Sequence, residues 1–227
     1  MDVFLVPVAL ERYELYCEEA DEAPPPADAD PPKGLLRRAY HRFREMLALA
    51  EHERRSPSNP TDAPRSLTAR MKARALRWIA ESIAEQRLLW QLRGRAEATL
   101  VHPDDLTADQ AQQLLRRSLQ RDWSRHRFWM IVDAIGGIGS ILLILLPGPN
   151  IVGYYFLFRI VGHYFSLRGA WQGLAVVTWM KAPSSPLTTL RGLVAESPDS
   201  REAAVREVAL ALRLEHFLPF FQRAAIP

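Results

Sequence analysis

Two neighbouring apolar segments near the middle of the chain dominate its hydrophobic pattern. Residues 128–146 carry one charged side chain, Asp133, and residues 151–167 carry one arginine and one histidine. The PGPN sequence between them contains prolines and a glycine, which end helices and form turns. Because a helix needs about 17–25 mostly apolar residues to cross a bilayer, the pattern predicts a two-helix membrane hairpin over 128–167. Its turn consists of Pro147, Gly148, Pro149 and Asn150.

Basic residues flank the predicted hairpin on both sides, whereas its turn carries no charge. They are Arg116, Arg117, Arg121, Arg125 and Arg127 before it, and Arg168, Lys181 and Arg191 after it. An excess of such residues marks the cytoplasmic or matrix side of a membrane, so both termini are expected on that side. Gly136 and Ser140 have the small-xxx-small spacing that lets membrane helices approach closely, which predicts helix packing at these two residues.

The other segments predict helices and linkers after a short N-terminal β-hairpin, so the predicted fold class is mainly α. Apolar side chains partly alternate over residues 1–17, as is typical of strands, and Pro7 favours an edge position. Thr107 and Gln110 form a capping box that starts a helix with no breaker before Leu146. The predicted order is a β-hairpin at 1–17, an acidic proline-rich linker at 18–34, an amphipathic helix at 35–55, a linker at 56–65, soluble helices at 66–127 with the first ending near residue 98, the membrane hairpin at 128–167 and a C-terminal helical segment at 168–227.

Composition and charge narrow the possible functions. The chain has 227 residues, 48% of them apolar, and a formal charge of +3. Its mean hydropathy of -0.13 excludes a polytopic transporter that lies mostly in the membrane. The single cysteine, Cys17, excludes a disulfide scaffold or a cysteine-rich metal site, and the six histidines lack metal-ligand spacing. No enzyme signature is present, and we expect no cofactor, no metal and no nucleic-acid partner.

Three ionisable residues lie within the apolar segments: Asp133, Arg159 and His163. Such residues are costly in lipid and indicate a functional role. Asp133 precedes Pro147 by 14 residues and His163 follows Asn150 by 13, so in a hairpin both lie about 20 Å from the turn and side by side. Arg159 shares a helix face with His163. These residues predict an ion or proton path; the alternative is an interfacial position, with Arg159 extending to water.

Three parts of the sequence resemble the mitochondrial K+–H+ exchange-related family and its bacterial relatives. They are MDVFLVPVALERYELYCE at the start, LPGPNIVGYYFLFRIVGHYFSLRGA in the middle and LRLEHFLPFFQR near the end. The resemblance implies membrane association and a link to potassium–proton exchange, and it implies no catalytic residues. Because one hairpin cannot enclose an ion path in lipid, a conducting form requires an oligomer or a complex.

The sequence therefore predicts an integral membrane protein that takes part in potassium–proton exchange, as a homo-oligomer or an accessory subunit. Its expected partners are the lipid bilayer, K+, H+ and further membrane helices. The arginine-rich composition favours a bacterial inner membrane, with the mitochondrial inner membrane as the eukaryotic counterpart. Two alternatives remain open: a membrane-anchored helical scaffold without transport activity, and a soluble helical protein with a buried hairpin.

Overall fold

The computed structural model describes residues 1–18, 88–141, 151–194 and 198–225. Met1–Ala20 and Leu88–Pro227 belong to one compact unit, and the structure below is that of its described residues. Several predicted segments lie outside the described residues: the linkers at 18–34 and 56–65, the helix at 35–55 and most of the helix predicted from residue 66. Of these segments, the structure describes Glu18 and the last turns before residue 93. The predicted PGPN turn also lies outside the described residues.

A four-stranded sheet forms the centre of this unit. Its strands are β1 (Asp2–Ala9), β2 (Arg12–Tyr16), β3 (Glu97–Pro103) and β4 (Thr178–Ser184), in the order β2-β1-β3-β4. The antiparallel pairing of β1 and β2 confirms the predicted N-terminal hairpin. The edge position predicted from Pro7 is wrong, because β1 lies between β2 and β3. Pro7 is tolerated because the parallel pairing with β3 ends at Phe4, so only β2 pairs with β1 at Pro7.

Five helices with complete bounds accompany the sheet in the described residues. They are α1 (Ala108–Ile141), α2 (Ile151–Ala175), α3 (Ser185–Leu193), α4 (Pro198–Ala211) and α5 (Phe217–Ala224), and residues 88–92 are also helical. The predicted capping box starts α1: Thr107 Oγ1 accepts from the Gln110 amide at 3.2 Å, and Gln110 Oε1 accepts from the Thr107 amide at 2.8 Å. Mainly helical content is confirmed.

Both faces of the sheet are covered. Val3 and Leu5 of β1 pack with Leu115 and Leu119 of α1 and with Ala170 of α2, whereas the alternate side chains of β1 face α3, α4 and α5. The second layer contains Phe4, Val6, Val8, Leu187, Leu190, Val208, Phe217 and Phe221. Because successive strand residues point to opposite faces, a strand buried on both faces is a nearly continuous apolar run, as β1 is.

Two strands, β3 and β4, lie in segments that were predicted to be helical. The helix expected to reach residue 98 ends earlier: the chain turns after Leu92, where the Arg95 amide donates to the Leu92 carbonyl at 3.1 Å, and β3 begins at Glu97. The segment predicted as helical from residue 168 contains β4. Both strands are stabilised by their mutual parallel pairing, a long-range contact that local apolar spacing does not reveal.

Helices α1 and α2 pack against each other in antiparallel directions, as the contacts from His126 to His163 and from Asp133 to Arg159 show. We call them the helical pair. Its sheet end comprises residues 108–125 and 164–175, and its far end comprises residues 126–141 and 151–163. Over the part of the chain that the structure describes, no helix has the length and apolar character needed to cross a membrane, so the predicted membrane hairpin over 128–167 is not supported.

A candidate proton-carrying site between two helices

Asp133 lies at the centre of a group of ionisable side chains inside the helical pair. Arg159 Nε donates to Asp133 Oδ1 at 3.0 Å and to Oδ2 at 2.9 Å. On the next turn of α2, His163 Nε2 lies 3.1 Å from Asp133 Oδ2. The Asp133 side chain is only 5% exposed. The three residues singled out from the sequence therefore meet in space, and the predicted contact between Asp133 and His163 is confirmed, whereas their role in an ion path stays a prediction.

A second histidine, which sequence reasoning missed, extends this group. His126 Nδ1 lies 2.9 Å from His163 Nδ1, and both residues are buried. His126 stands just before the apolar segment and is therefore not among the ionisable residues that this segment contains. The missed signal was its spacing: seven residues before Asp133 is two helical turns, which places both side chains on one face of α1. Arg159, Asp133, His163 and His126 thus form a continuous row, which we call the ionisable row.

The contacts of the row determine which nitrogens carry protons when both histidines are neutral. A carboxylate only accepts hydrogen bonds, so His163 must carry its proton on Nε2 to donate to Asp133. His163 Nδ1 is then an acceptor, and His126 must carry its proton on Nδ1 to donate to it. This assignment leaves His126 Nε2 without a proton, so the row begins with a basic nitrogen and ends at a carboxylate.

Electrostatics favours the neutral form of His126. Its burial, followed by the neighbouring His163 and Arg125, lowers its pKa to about 4. At the other end of the row, Arg159 balances the charge of Asp133, and its guanidinium lies 5.8 Å from the Trp129 ring centre and 5.7 Å from that of Tyr155. Aromatic rings attract such a cation through their negative faces. The row therefore contains one compensated ion pair and two neutral imidazoles near neutral pH.

Small residues let α1 and α2 approach each other beside the row. The Phe156 ring lies against Gly136, where an added Cβ would lie 2.5 Å from the ring. Ser140, the other residue of the predicted pair, is buried and donates to the Gly137 carbonyl of its own helix at 2.7 Å. Gly136 thus allows the close contact at this point.

The outer side of the far end is apolar. Eight large side chains are exposed there, and we call them the apolar surface: Phe128, Trp129, Ile131, Val132, Ile135, Ile138, Tyr155 and Leu157. Exposed apolar area of this extent usually marks a surface that contacts a partner or a membrane. The far end therefore combines an ionisable interior with an apolar exterior.

One group of side chains elsewhere has the composition of a metal site. Glu18, Glu215 and His216 bring their ligand atoms within 4.8 Å of one another. However, Glu18 Oε1 accepts from the backbone amides of Glu215 and His216 at 3.0 and 2.9 Å. These contacts at the start of α5 already explain the position of Glu18, because helix N-termini favour carboxylates.

The fold and the site define an α+β protein that carries a helical pair with an ionisable row inside and an apolar surface outside. The sequence profile of the mitochondrial K+–H+ exchange-related family matches residues 2–174, from β1 to the end of α2. The chain belongs to this family. No curated protein and no solved structure matches it significantly. The resemblance noted near the C-terminus lies outside the matched residues, whereas the ionisable row lies entirely within them.

Proposed function

We propose that this protein takes part in potassium–proton exchange at a membrane, as an oligomer or as an accessory subunit. In this proposal Asp133, Arg159 and His163 belong to the ion or proton path. The family to which the chain belongs supports the link to this process. The observation that carries the proposal is the position of Asp133: a nearly inaccessible carboxylate contacts a cation and a histidine inside a helical pair that is apolar outside.

The apolar surface supports a lipid partner. Side chains such as Ile138, which is 68% exposed, lose contact with water when they enter a bilayer. Basic and aromatic residues lie beside this surface: Arg127 lies 4.6 Å from the Trp123 ring centre, and Arg168 lies 5.5 Å from that of Trp171. Aromatic rings prefer the headgroup region, and arginines pair with anionic lipids there. We therefore propose that the far end inserts into lipid up to this level.

An ion path also needs more than the helical pair. Two helices cannot surround an ion, and polar groups that face lipid must be satisfied by neighbouring helices. A path beside Asp133 therefore requires a second copy of the chain or another membrane protein. The bacterial or mitochondrial inner membrane, with both termini on the cytoplasmic or matrix side, remains our prediction for the location.

A membrane-anchored scaffold without transport activity is the second candidate. The double contact between Arg159 and Asp133 favours it, because an ion pair that balances its own charge can simply hold two helices in register. The two candidates differ in what they predict for variants of the row. A path needs groups that bind and release protons, whereas a scaffold needs only the packing.

The test of transport is proton-coupled K+ flux in liposomes that contain the purified full-length chain. We expect Asp133→Asn and His163→Ala to reduce the flux while the protein stays in the membrane fraction. Both variants remove a titratable group from the row and leave the apolar surface unchanged. Full flux in both variants would contradict a path through the row, whereas no flux in the unchanged chain would favour the scaffold.

The test of lipid contact is alkaline carbonate extraction of membranes from cells that express the chain. The variant has Ile131→Gln, Ile135→Gln and Ile138→Gln, three exposed positions on the apolar surface. The matched control has Leu10→Gln, Met180→Gln and Leu210→Gln, which are equally exposed but lie outside the helical pair. We expect release of the variant and retention of the control. Equal behaviour of the two, or release of the unchanged chain, would contradict insertion.

A further inference from the structure

We propose that His126 carries protons between water and Asp133 by way of His163. This inference rests on the proposed function, because it describes how protons reach the same carboxylate. Two contacts carry it: His126 Nδ1 to His163 Nδ1 at 2.9 Å, and His163 Nε2 to Asp133 Oδ2 at 3.1 Å. His163 therefore joins His126 and Asp133 through its two nitrogens, which is the arrangement that a proton relay requires.

The protons balance along this row. A proton arrives at the basic nitrogen of His126, Nε2, while the Nδ1 proton of His126 passes to Nδ1 of His163. The Nε2 proton of His163 then passes to Asp133 Oδ2. At the end both imidazoles are neutral again, each with its proton on the opposite nitrogen, and Asp133 is a neutral carboxylic acid. The reverse sequence returns the proton to His126.

The position of His126 suits the aqueous end of the relay. It stands between the exposed Arg125 and Arg127, at the basic end of the apolar segment. Asp133 lies seven residues further along α1, which is about 10 Å deeper into the far end. The row thus leads from the level of the basic residues into the part of the helical pair that we place in lipid.

The charges that face His126 favour passing a proton on over holding it at this residue. His163 contacts it from α2, and Arg125 acts on it from its own helix; together with burial they lower its pKa. A histidine with a lowered pKa is mostly neutral near neutral pH, so a proton that reaches it is passed on rather than held. Beyond His163, the guanidinium of Arg159 compensates the charge of Asp133 until a proton arrives.

Proton arrival at Asp133 also changes its contact with Arg159. A neutral acid no longer offers the charge that stabilises the guanidinium between α1 and α2. The contact between the two helices therefore weakens when the relay delivers its proton. In this way the row links proton uptake to the packing of the helical pair.

Variants of His126 test the relay in the liposome flux assay with the full-length chain. His126→Asn keeps a hydrogen-bonding atom near the position of Nδ1 but cannot pass a proton between two nitrogens. We expect a loss of proton-coupled flux of about a hundredfold, with unchanged incorporation into liposomes. His126→Ala leaves room for a free imidazole, and added imidazole should restore part of its flux. His216→Asn, which changes an exposed histidine at the start of α5, is the matched control and should retain flux.

The outcomes separate the relay from the proposed function. Wild-type flux in His126→Asn, or no rescue of His126→Ala by imidazole, would overturn the relay while the exchange function stands. A wild-type chain without flux would contradict exchange by an oligomer of this chain alone, and nuclear magnetic resonance then decides on the relay. In nitrogen-15-labelled full-length protein near neutral pH, we expect the proton on Nδ1 of His126 and on Nε2 of His163, with coupling between the two Nδ1 atoms. The opposite tautomer at either histidine would overturn the relay.

Discussion

The sheet end and the far end of the helical pair consist of the same two helices but bury opposite kinds of residue. At the sheet end, Leu119 of α1 and Ala170 of α2 are fully buried against the sheet. At the far end, Ile138 and Leu157 are more than half exposed, whereas Asp133 and His163 are buried between the helices. The first arrangement stabilises a domain in water, and the second does not.

This difference indicates what each end does. Burial of apolar side chains is the main source of folding free energy, so the sheet end holds the helical pair on the domain. A buried ion pair contributes little to stability compared with apolar residues of similar size, and exposed apolar residues contribute none. The structure of the far end is therefore better explained by contact with lipid and transfer of protons than by a contribution to stability. Both roles belong to the proposed function.

The largest expected effect comes from truncating one apolar residue at each end. Leu119→Ala leaves a cavity in a fully packed core and should lower the free energy of unfolding by about 3 kcal/mol. Ile138→Ala removes an exposed side chain and should change it by less than about 0.5 kcal/mol. Urea unfolding of the purified protein in mild detergent measures both. Similar losses in the two variants would contradict the contrast between the ends.

A second effect concerns two glycines. A Cβ at Gly169 of α2 would collide with the Leu89 carbonyl, whereas a Cβ at Gly139 of α1 would meet nothing within 4 Å. Gly169→Ala should therefore destabilise the protein by about 2–3 kcal/mol. Gly139→Ala should stabilise it by about 0.5–1 kcal/mol, because alanine favours a helix interior. Thermal unfolding measures both shifts, and a tolerated alanine at residue 169 would contradict the close approach of residues 88–92 to α2.

The sequence predictions succeeded where local geometry decides the structure, in the sheet region as well as in the far end. The contact between Asp133 and His163 was predictable because it follows from counting residues away from the predicted PGPN turn along two helices. The N-terminal hairpin was predictable because its strands are adjacent in sequence. The capping box at Thr107 was predictable because it is formed within one helical turn. All three depend on local geometry.

Long-range pairing could not be predicted in this way. Strands β3 and β4 pair with each other although about eighty residues separate them, and neither has a clean apolar alternation. His126 was missed for a different reason: it lies outside the apolar segment, and only its packing against His163 of α2 reveals its place in the row. The membrane hairpin was predicted from apolar length, yet α1 and α2 bury polar groups between them and contribute a sheet end to the domain.

A third prediction concerns the ion pair of the far end. Asp133→Asn leaves the Arg159 charge without its partner and should lower the free energy of unfolding by about 1–2 kcal/mol, since the Arg159 side chain is partly exposed. The double variant Asp133→Leu with Arg159→Leu should lose less than Asp133→Asn alone, because no unpaired charge remains. Urea unfolding of the single and double variants measures this. A double variant that is less stable than Asp133→Asn would show that the pair contributes to stability as the sheet end does.

The last prediction is a pH dependence that His126 gives to the far end. Burial, His163 and Arg125 lower the pKa of His126 to about 4 in the folded protein, whereas an unperturbed histidine titrates at about 6.5. Between these values the unfolded chain binds a proton that the folded chain does not bind. The contribution of His126 to stability is therefore fully present above about pH 6.5 and decreases as the pH falls towards about 4, by at most about 1.4 kcal/mol per pH unit. His126→Asn should remove this part of the dependence, which urea unfolding of both proteins between about pH 7.5 and pH 4.5 measures. Identical pH dependence in the two proteins would mean that His126 does not stay neutral in the row, and the far end would then respond to acid no differently from the sheet end.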